Sequence, residues 1–421
     1  MAPSPPDTAW LLIATALVLM MTPALGFFYG GMVRAKNALN TLMMSFCSLG
    51  FVGLAWALAG YSVAFGHATP WWGGGEYLLL RGVDLQAQGT IPHVLFFAYQ
   101  GTFAIVTAAL ISGAIVERMR FGPYIAFITL WSLLVYAPVA HWVWGGGWIG
   151  KMGALDFAGG TVVHVNAAAA ALVAAMVVGS RKDYARQAIL PQNVPFTLLG
   201  AGLLWLGWFG FNAGSALAAN QIAALAFVNT MLAPTATLVV WTILELARTK
   251  KATAIGAATA IVIGLVAVTP AAGFISPMGS IILGAVAAFP SYFALLYRAR
   301  TSLDDSLDVV AAHGVGGIVG ALLTGVLARK AWNAAGADGL ISGNSRQLGI
   351  QAVAILATII YSAAGTFIIL KALSLVTSLR TTARDEGLGL DFTQHGEEAY
   401  GSGEGAILVR LNPERSEGSG D

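Results

Sequence analysis

Eleven blocks of about 20 or more apolar residues fill most of this chain, at 8–33, 39–65, 91–116, 121–144, 159–180, 194–218, 221–247, 253–272, 276–298, 305–328 and 347–379. A hydrocarbon layer about 30 Å thick takes about 20 residues of helix to cross, and backbone crossing it has to satisfy its own hydrogen bonds. The repetition therefore predicts an all-α polytopic membrane protein with eleven transmembrane helices. Composition agrees, since 57% of the 421 residues are hydrophobic and 10% are charged, against about 25% charged in a soluble domain. The leader MAPSPPD lacks Lys and Arg, and its apolar run continues to Val33 before meeting Arg34 and Lys36. A signal peptide has a basic start and a shorter core, so the first block reads as a retained helix. Cys47 is the single cysteine and lies within an apolar block, which rules out a disulfide framework. A net charge of +2 gives no footing for nucleic acid.

Basic residues set the expected orientation. With loops alternating sides, seventeen of the 22 Lys and Arg gather on one side, including Arg34, Lys36, Arg118, Arg181, Lys182, Lys250, Arg298 and Arg380. Five fall on the other: Arg81, Lys151, Arg329, Lys330 and Arg346. The positive-inside rule then puts the N-terminus outside and the C-terminus in the cytoplasm. Residues 1–380 read as one transmembrane domain and 381–421 as a polar cytoplasmic tail, whose end, NPERSEGSGD, has the composition of a disordered segment. The outer loop 66–90 carries Trp71 and Trp72, suited to a membrane interface.

The two halves echo one another. GFFYGG (26–31) in the first block is matched by GWFGFNAG (207–214) in the sixth, and TVVHVNAAAAALVAA in the fifth by VVAAHGVGGIVGALLTG in the tenth. Five spans per half would invert the second copy, giving two inverted five-helix repeats plus a long final helix. Such repeats place their site near the midplane at the repeat interface. His164 and His313 would meet there. An ionisable residue inside a membrane is expensive and marks a functional site. Neutral imidazole offers one donor and one acceptor, so a pair sharing one proton can line an apolar pore, accept a hydrogen bond or relay a proton.

Longer motifs carry a resemblance. AHWVWGGGWIGKMGALDFAGGTVVHVNAA, GWFGFNAGSALAANQIAALAFVNT, GLVAVTPAAGFISPMGSIILG and the tail GLDFTQHGEEAY resemble the ammonium transporter (Amt/Mep/Rh) family, on its Amt branch, through nearly the whole membrane domain. The resemblance implies a homotrimer in the plasma membrane with one pore per subunit. It maps His164 and His313 onto the twin pore histidines. Trp144, Phe103 and Ser215, in WVWGGG, YQGTF and FNAGS, would form an outer site recruiting NH4+, and Phe103 and Phe211 would stack as a gate below it. Asp156, in LDFAGG, would act structurally and electrostatically as a helix cap near the cation. Asp308 would cap span 10 or pair with Arg298 or Arg300. His141 reads as structural, while His67, His93 and His395 fall in loops or the tail. The tail would dock along cytoplasmic loops of a neighbouring subunit and bind a PII-type signalling protein, with Asp391, Glu397 and Glu398 facing basic partners.

No metal signature, nucleotide motif or activated nucleophile is present in the sequence, so neither a cofactor nor an enzymatic activity is expected. The resemblance implies capture of NH4+ outside, deprotonation near the gate and passage of NH3, with or without H+, past the histidines. A bare ion in an apolar slot costs of order 20 kcal/mol in the Born limit, and potassium has no proton to shed. The alternatives are a Rh-like neutral gas channel, disfavoured by Trp144 and Ser215, and an ammonium sensor signalling through the tail.

Overall fold

The computed structural model describes residues 2–400. The polar end NPERSEGSGD lies outside the described residues. Among those described, ten helices are long and apolar enough to cross a membrane: α1 Pro5–Met32, α2 Ala35–Phe65, α3 His93–Ala114, α4 Phe121–Met152, α5 Gly160–Val178, α6 Val194–Gly214, α7 Gln221–Thr249, α9 Pro277–Arg298, α10 Val310–Leu327 and α11 Ser345–Ser374. The remaining expected span is a shorter apolar helix, α8, Ala254–Val268. It stops because Pro270 cannot continue it. The carbonyl of Pro270 instead accepts the N–H of Phe157 at 3.1 Å. Many large apolar side chains, such as Leu54, Met176, Phe293 and Ile360, point outward, as they must where the surrounding solvent is lipid.

Local chemistry sets the helix ends. Pro5 and Pro6 open α1 behind the N-cap Ser4, a position where a missing N–H costs nothing. Asn193, Asn220, Thr253 and Ser276 cap α6, α7, α8 and α9 through their side chains. α1 and α6 run antiparallel in close contact. A Cβ on Gly200 would run into the backbone of Phe28, and one on Gly210 would sit 2.7 Å from the carbonyl oxygen of Ala14. Only glycine lets the backbones approach this closely, and this pair joins the start of each half of the chain.

The surroundings of two residues singled out in the sequence differ from the expectation. α10 begins at Val310, not at 305, because Asp308 adopts a left-handed φ of 57° that no α-helix accommodates. Asp308 therefore precedes the helix and, of the two roles the sequence left open, takes the ion pair with Arg298 (2.7 Å) and not the cap. Asp305 takes the capping role, accepting the N–H of Val310 at 2.7 Å. His93 is the first residue of α3 rather than a loop residue, and its Nε2 lies 2.5 Å from the Tyr61 hydroxyl.

Opposite the 66–92 loop, the connecting segments are locked by buried charge. Arg181 forms ion pairs at 2.8 Å with Glu117 and with Asp304, and Arg34 meets Glu117 at 3.1 Å and Asp183 at 2.8 Å. Burial opposes charge on Glu117, but Arg181 and Arg34 outweigh it and hold its carboxyl below the usual range. The tail packs on this face of its own chain. Asp391 accepts the N–H groups of Leu39 and Asn40 at 3.0 and 2.7 Å, so it caps the start of α2 instead of meeting a basic side chain. Glu386 accepts from the backbone of Lys182 and pairs with Arg380 at 2.8 Å. His395 reaches Asn40 Oδ1 at 3.0 Å.

Candidate functional site

A line of cavities runs from the 66–92 loop to the tail face, and the residues singled out in the sequence fall along it in order. The cavity on the side of the 66–92 loop, called outer after the expected orientation, has a volume of about 320 Å³ and is lined by Phe65, Phe96, Gln100, Phe103, Val143, Trp144, Phe157, Ser215 and Leu217. Trp144 follows the helical stretch Ala137–Val143 and is fixed by its indole N–H, which donates to the carbonyl of Asp156 at 2.9 Å. Ser215 ends α6, where its hydroxyl donates to the carbonyl of Phe211 at 2.8 Å. That commits its one proton and leaves lone pairs to accept hydrogen bonds. Tyr99, an aromatic of YQGTF, is wholly buried behind the cavity and donates to the carbonyls of Gly210 and Phe211 at 3.0 Å each.

Below the cavity Phe103 and Phe211 stack, with ring centroids 4.2 Å apart and planes 29° from parallel. Phe103 also meets Trp144 edge-on at 6.0 Å. The stack separates the outer cavity from a slot of about 10 Å³ lined by His164, His313, Trp208 and the aliphatic side chains of Leu25, Val106 and Leu110, among others. That is room for about one water-sized molecule.

His164 and His313 meet in the slot with Nδ1 to Nδ1 at 3.2 Å. One Nδ1 must donate and the other accept. One imidazole therefore turns a bare Nε2 acceptor to its surroundings, and the other an Nε2–H donor. The Nε2 of His164 is buried without a hydrogen-bond partner among the described residues. Trp208 stacks on His164 at 5.4 Å and is itself pinned by its N–H to Thr269 at 2.9 Å. Motif reading did not single out Trp208, although it lies within GWFGF.

Each histidine rides on a π-helical turn, Gly160–Val165 and Val310–Val315, the widened geometry often found at functional positions. A carboxylate eight residues earlier anchors each turn. Asp156 accepts four backbone N–H groups, from Gly159, Gly160, Thr161 and Val162, at 2.6–3.0 Å. Asp305 is its counterpart before His313. The sequence reading left Asp308 between capping and pairing with Arg298 or Arg300 and did not single out Asp305, although the eight-residue spacing Asp–His repeats in LDFAGGTVVH and DSLDVVAAH. Beyond His313 lies an inner cavity of about 290 Å³ whose lining includes Phe28, Tyr29, Trp241, Glu245, Tyr292 and Asp308. His141 is structural in position, bonded through its two ring nitrogens to the carbonyls of Ala64 and Thr69 at 2.9 and 2.8 Å. His67 pairs with Glu76 at the exposed outer loop, away from the slot. Among the described residues, no group of three or more His, Cys, Asp or Glu is placed to hold a metal ion.

A helical membrane bundle with a cavity on either side of an aromatic stack and a narrow histidine-lined slot has the architecture of a channel-like transporter. The profile of the Ammonium Transporter Family matches residues 9–400, and the chain belongs to that family. It is 48% identical over 398 residues to the ammonium transporter of Bacillus subtilis, covering 94% of this chain and 98% of that one. It is 44% identical to ammonium transporter Amt1 of Archaeoglobus fulgidus over 395 residues, 94% and 99% of the two chains. The fold superposes on the crystal structure of Saccharomyces cerevisiae Mep2 with a TM-score of 0.86 at 32% identity, covering 91% of this chain and 89% of that one. A sensor Amt protein gives the same TM-score of 0.86 at 29% identity, covering 93% and 98%. The chain is thus a multi-pass membrane protein of an ammonium-transporting family.

Proposed function

We propose that this protein recruits NH4+ in the outer vestibule, strips it of a proton near the Phe103–Phe211 stack, and conducts NH3 past His164 and His313 to the inner vestibule. The observation that carries this reading is the pair of histidines in contact inside a slot only about one small molecule wide. A cation arriving at Trp144 and Phe103 gains about 0.5–2 kcal/mol from each aromatic face as it desolvates, and Ser215 accepts one N–H. Beyond the stack the walls are apolar, and an unpaired ion there faces a Born cost of order 20 kcal/mol. Ammonium escapes that cost by giving its proton to water of the outer vestibule; the proton then stays outside or crosses separately through the histidine pair. Potassium has no such route, so the slot selects by chemistry rather than size. The donor and the acceptor that the imidazoles turn outward suit NH3, which can both donate N–H and accept through its lone pair.

The chain crosses the membrane eleven times in this reading, with α8 as the eighth crossing, the N-terminus outside, the tail in the cytoplasm and the halves related as inverted repeats. It assembles as a homotrimer in the plasma membrane with a pore in each subunit. The segment from 381 onward is a regulatory element: its Glu386 and Asp391 contacts tie it to the start of α2 and to the loop at Lys182, where a PII-type protein at the cytoplasmic face can act. Asp156 and Asp308 serve structurally, one holding the turn under His164 and the other neutralising Arg298. A sensor is the second reading, favoured by the likeness to a sensor Amt protein.

Purified protein in liposomes separates these readings. A current evoked by an ammonium pulse, with no potassium flux, is expected for deprotonation followed by passage of NH3 and separate movement of H+. An internal pH change without current indicates neutral NH3 conduction, and neither signal indicates a sensor.

A further inference from the structure

Gln100 is a polar side chain that the recruitment motifs leave aside. It lies on α3 four residues after Phe96 and three before Phe103, so the three share one helix face. All three line the outer cavity together with Trp144 and Ser215. The residue is only 9% exposed, and that exposure opens onto the cavity. None of the hydrogen bonds among the described residues engages its carboxamide, whereas buried amides ordinarily find partners. Its immediate neighbours are committed elsewhere: Tyr99 to the carbonyls of α6 and Thr102 to the carbonyl of Tyr99 at 2.6 Å.

Ammonium brings four N–H donors in a tetrahedral arrangement, and the outer site as read so far offers one directional acceptor, the Ser215 hydroxyl. Aromatic faces attract the charge but bond individual N–H groups weakly. At least one further N–H therefore needs an oxygen when the ion sheds its water. We infer that Gln100 is a direct ligand of the recruited ammonium ion, its carboxamide oxygen accepting one N–H while Ser215 accepts another and the remaining N–H groups face Trp144 and Phe103. The carboxamide can present oxygen to the cation, because exchanging its O and N takes only a half-turn of the terminal torsion. The inference rests on the outer recruitment site proposed above and gives it a second acceptor.

The test is the concentration dependence of ammonium-evoked transport in liposomes for wild type, Gln100→Leu, Gln100→Glu and Ser215→Ala. Leucine keeps most of the volume and removes the acceptor. The expected result is a rise of about tenfold in apparent KM, the scale of losing one hydrogen bond to a charged partner, with the maximal rate within about twofold of wild type. Gln100→Glu restores an acceptor and should return KM to the wild-type value or below, which a role in packing alone would not produce. A wild-type KM in Gln100→Leu beside a raised KM in Ser215→Ala would overturn this inference and leave the outer site standing. The inference is equally overturned if Gln100→Leu lowers only the maximal rate, or if Gln100→Glu fails to restore KM. Unmoved KM in both Gln100→Leu and Ser215→Ala would remove the recruitment site itself, and the inference with it.

Discussion

Replacing Asp156 by asparagine keeps the size of the side chain and removes its charge. The native carboxylate accepts four N–H groups at 2.6–3.0 Å, and through them fixes the first turn of the segment that carries His164. An asparagine carboxamide has a single acceptor oxygen with two lone pairs, and its NH2 group faces donors where the second carboxylate oxygen stood. At least two of the four N–H groups lose their partner. Each orphaned buried donor costs about 1–3 kcal/mol, so the loss is roughly 2–6 kcal/mol. The π-helical turn gives way first, because nothing else among its hydrogen bonds replaces the carboxylate, and the Nδ1–Nδ1 contact at 3.2 Å has little slack before it ceases to be a hydrogen bond. Asp156→Asn should therefore lower the thermal midpoint of the solubilised protein by several degrees and cut ammonium transport in liposomes at least tenfold. A variant with wild-type midpoint and wild-type rate would refute the anchoring argument. One with a wild-type midpoint and a lost rate would place the charge of Asp156 on the cation instead of on the turn.

Three further outcomes follow from the packing. Truncation after Arg380 removes Glu386 and Asp391 and so frees the start of α2 and the Lys182 loop; transport should fall or lose regulation while the protein remains folded, and unchanged transport together with unchanged binding of the proposed PII-type partner would exclude a regulatory tail. Gly200→Ala forces a methyl group into the backbone of Phe28 and should destabilise the protein by about 1–3 kcal/mol, the usual cost of overpacking, whereas Gly202→Ala, whose Cβ would meet nothing within 4 Å, should be neutral in the same thermal melt. Glu117→Gln leaves Arg34 and Arg181 short of a buried carboxylate and should cost about 3–5 kcal/mol at neutral pH. Because the folded carboxyl is held below its usual range, that stabilisation is complete above the unfolded value of about 4.3 and is lost as pH falls through the folded one; the gap between wild type and Glu117→Gln should narrow in acid, and a gap independent of pH would refute the ion-pair account.

The membrane architecture was legible in the sequence because span length and apolarity are properties of contiguous residues. His164 and His313 were legible for a related reason: a histidine within an apolar block stands out without any knowledge of what it touches. Asp308 was legible as an ion-pair partner of Arg298, but Asp304, Asp305 and Asp308 crowd one segment and only backbone geometry shows that Asp305 accepts the N–H of Val310. The repeated eight-residue spacing could have found it. Gln100 stands beside the aromatic Tyr99 in YQGTF, and no local pattern tells which of the two meets the cavity; the helix turns Tyr99 behind it and Gln100 into it. Charges in the loops were counted only as topology markers. That Arg181, Glu117, Asp304 and Arg34 form one buried network depends on distant loops meeting, which no local pattern encodes. The tail's docking on its own chain, with Asp391 as a helix cap, is equally a product of the fold.

In the function proposed above, the histidine pair makes the slot passable to NH3 and closed to ions. Potassium flux and ammonium-evoked current, measured side by side in liposomes for wild type, His164→Asp and His313→Ala, test it most directly. Wild type should pass no potassium. His164→Asp places a potential anion in the slot, draws in water and should admit potassium, while His313→Ala breaks the shared proton and should sharply reduce any proton-linked current. Potassium still excluded in the aspartate variant, together with an intact current in the alanine variant, would contradict the account.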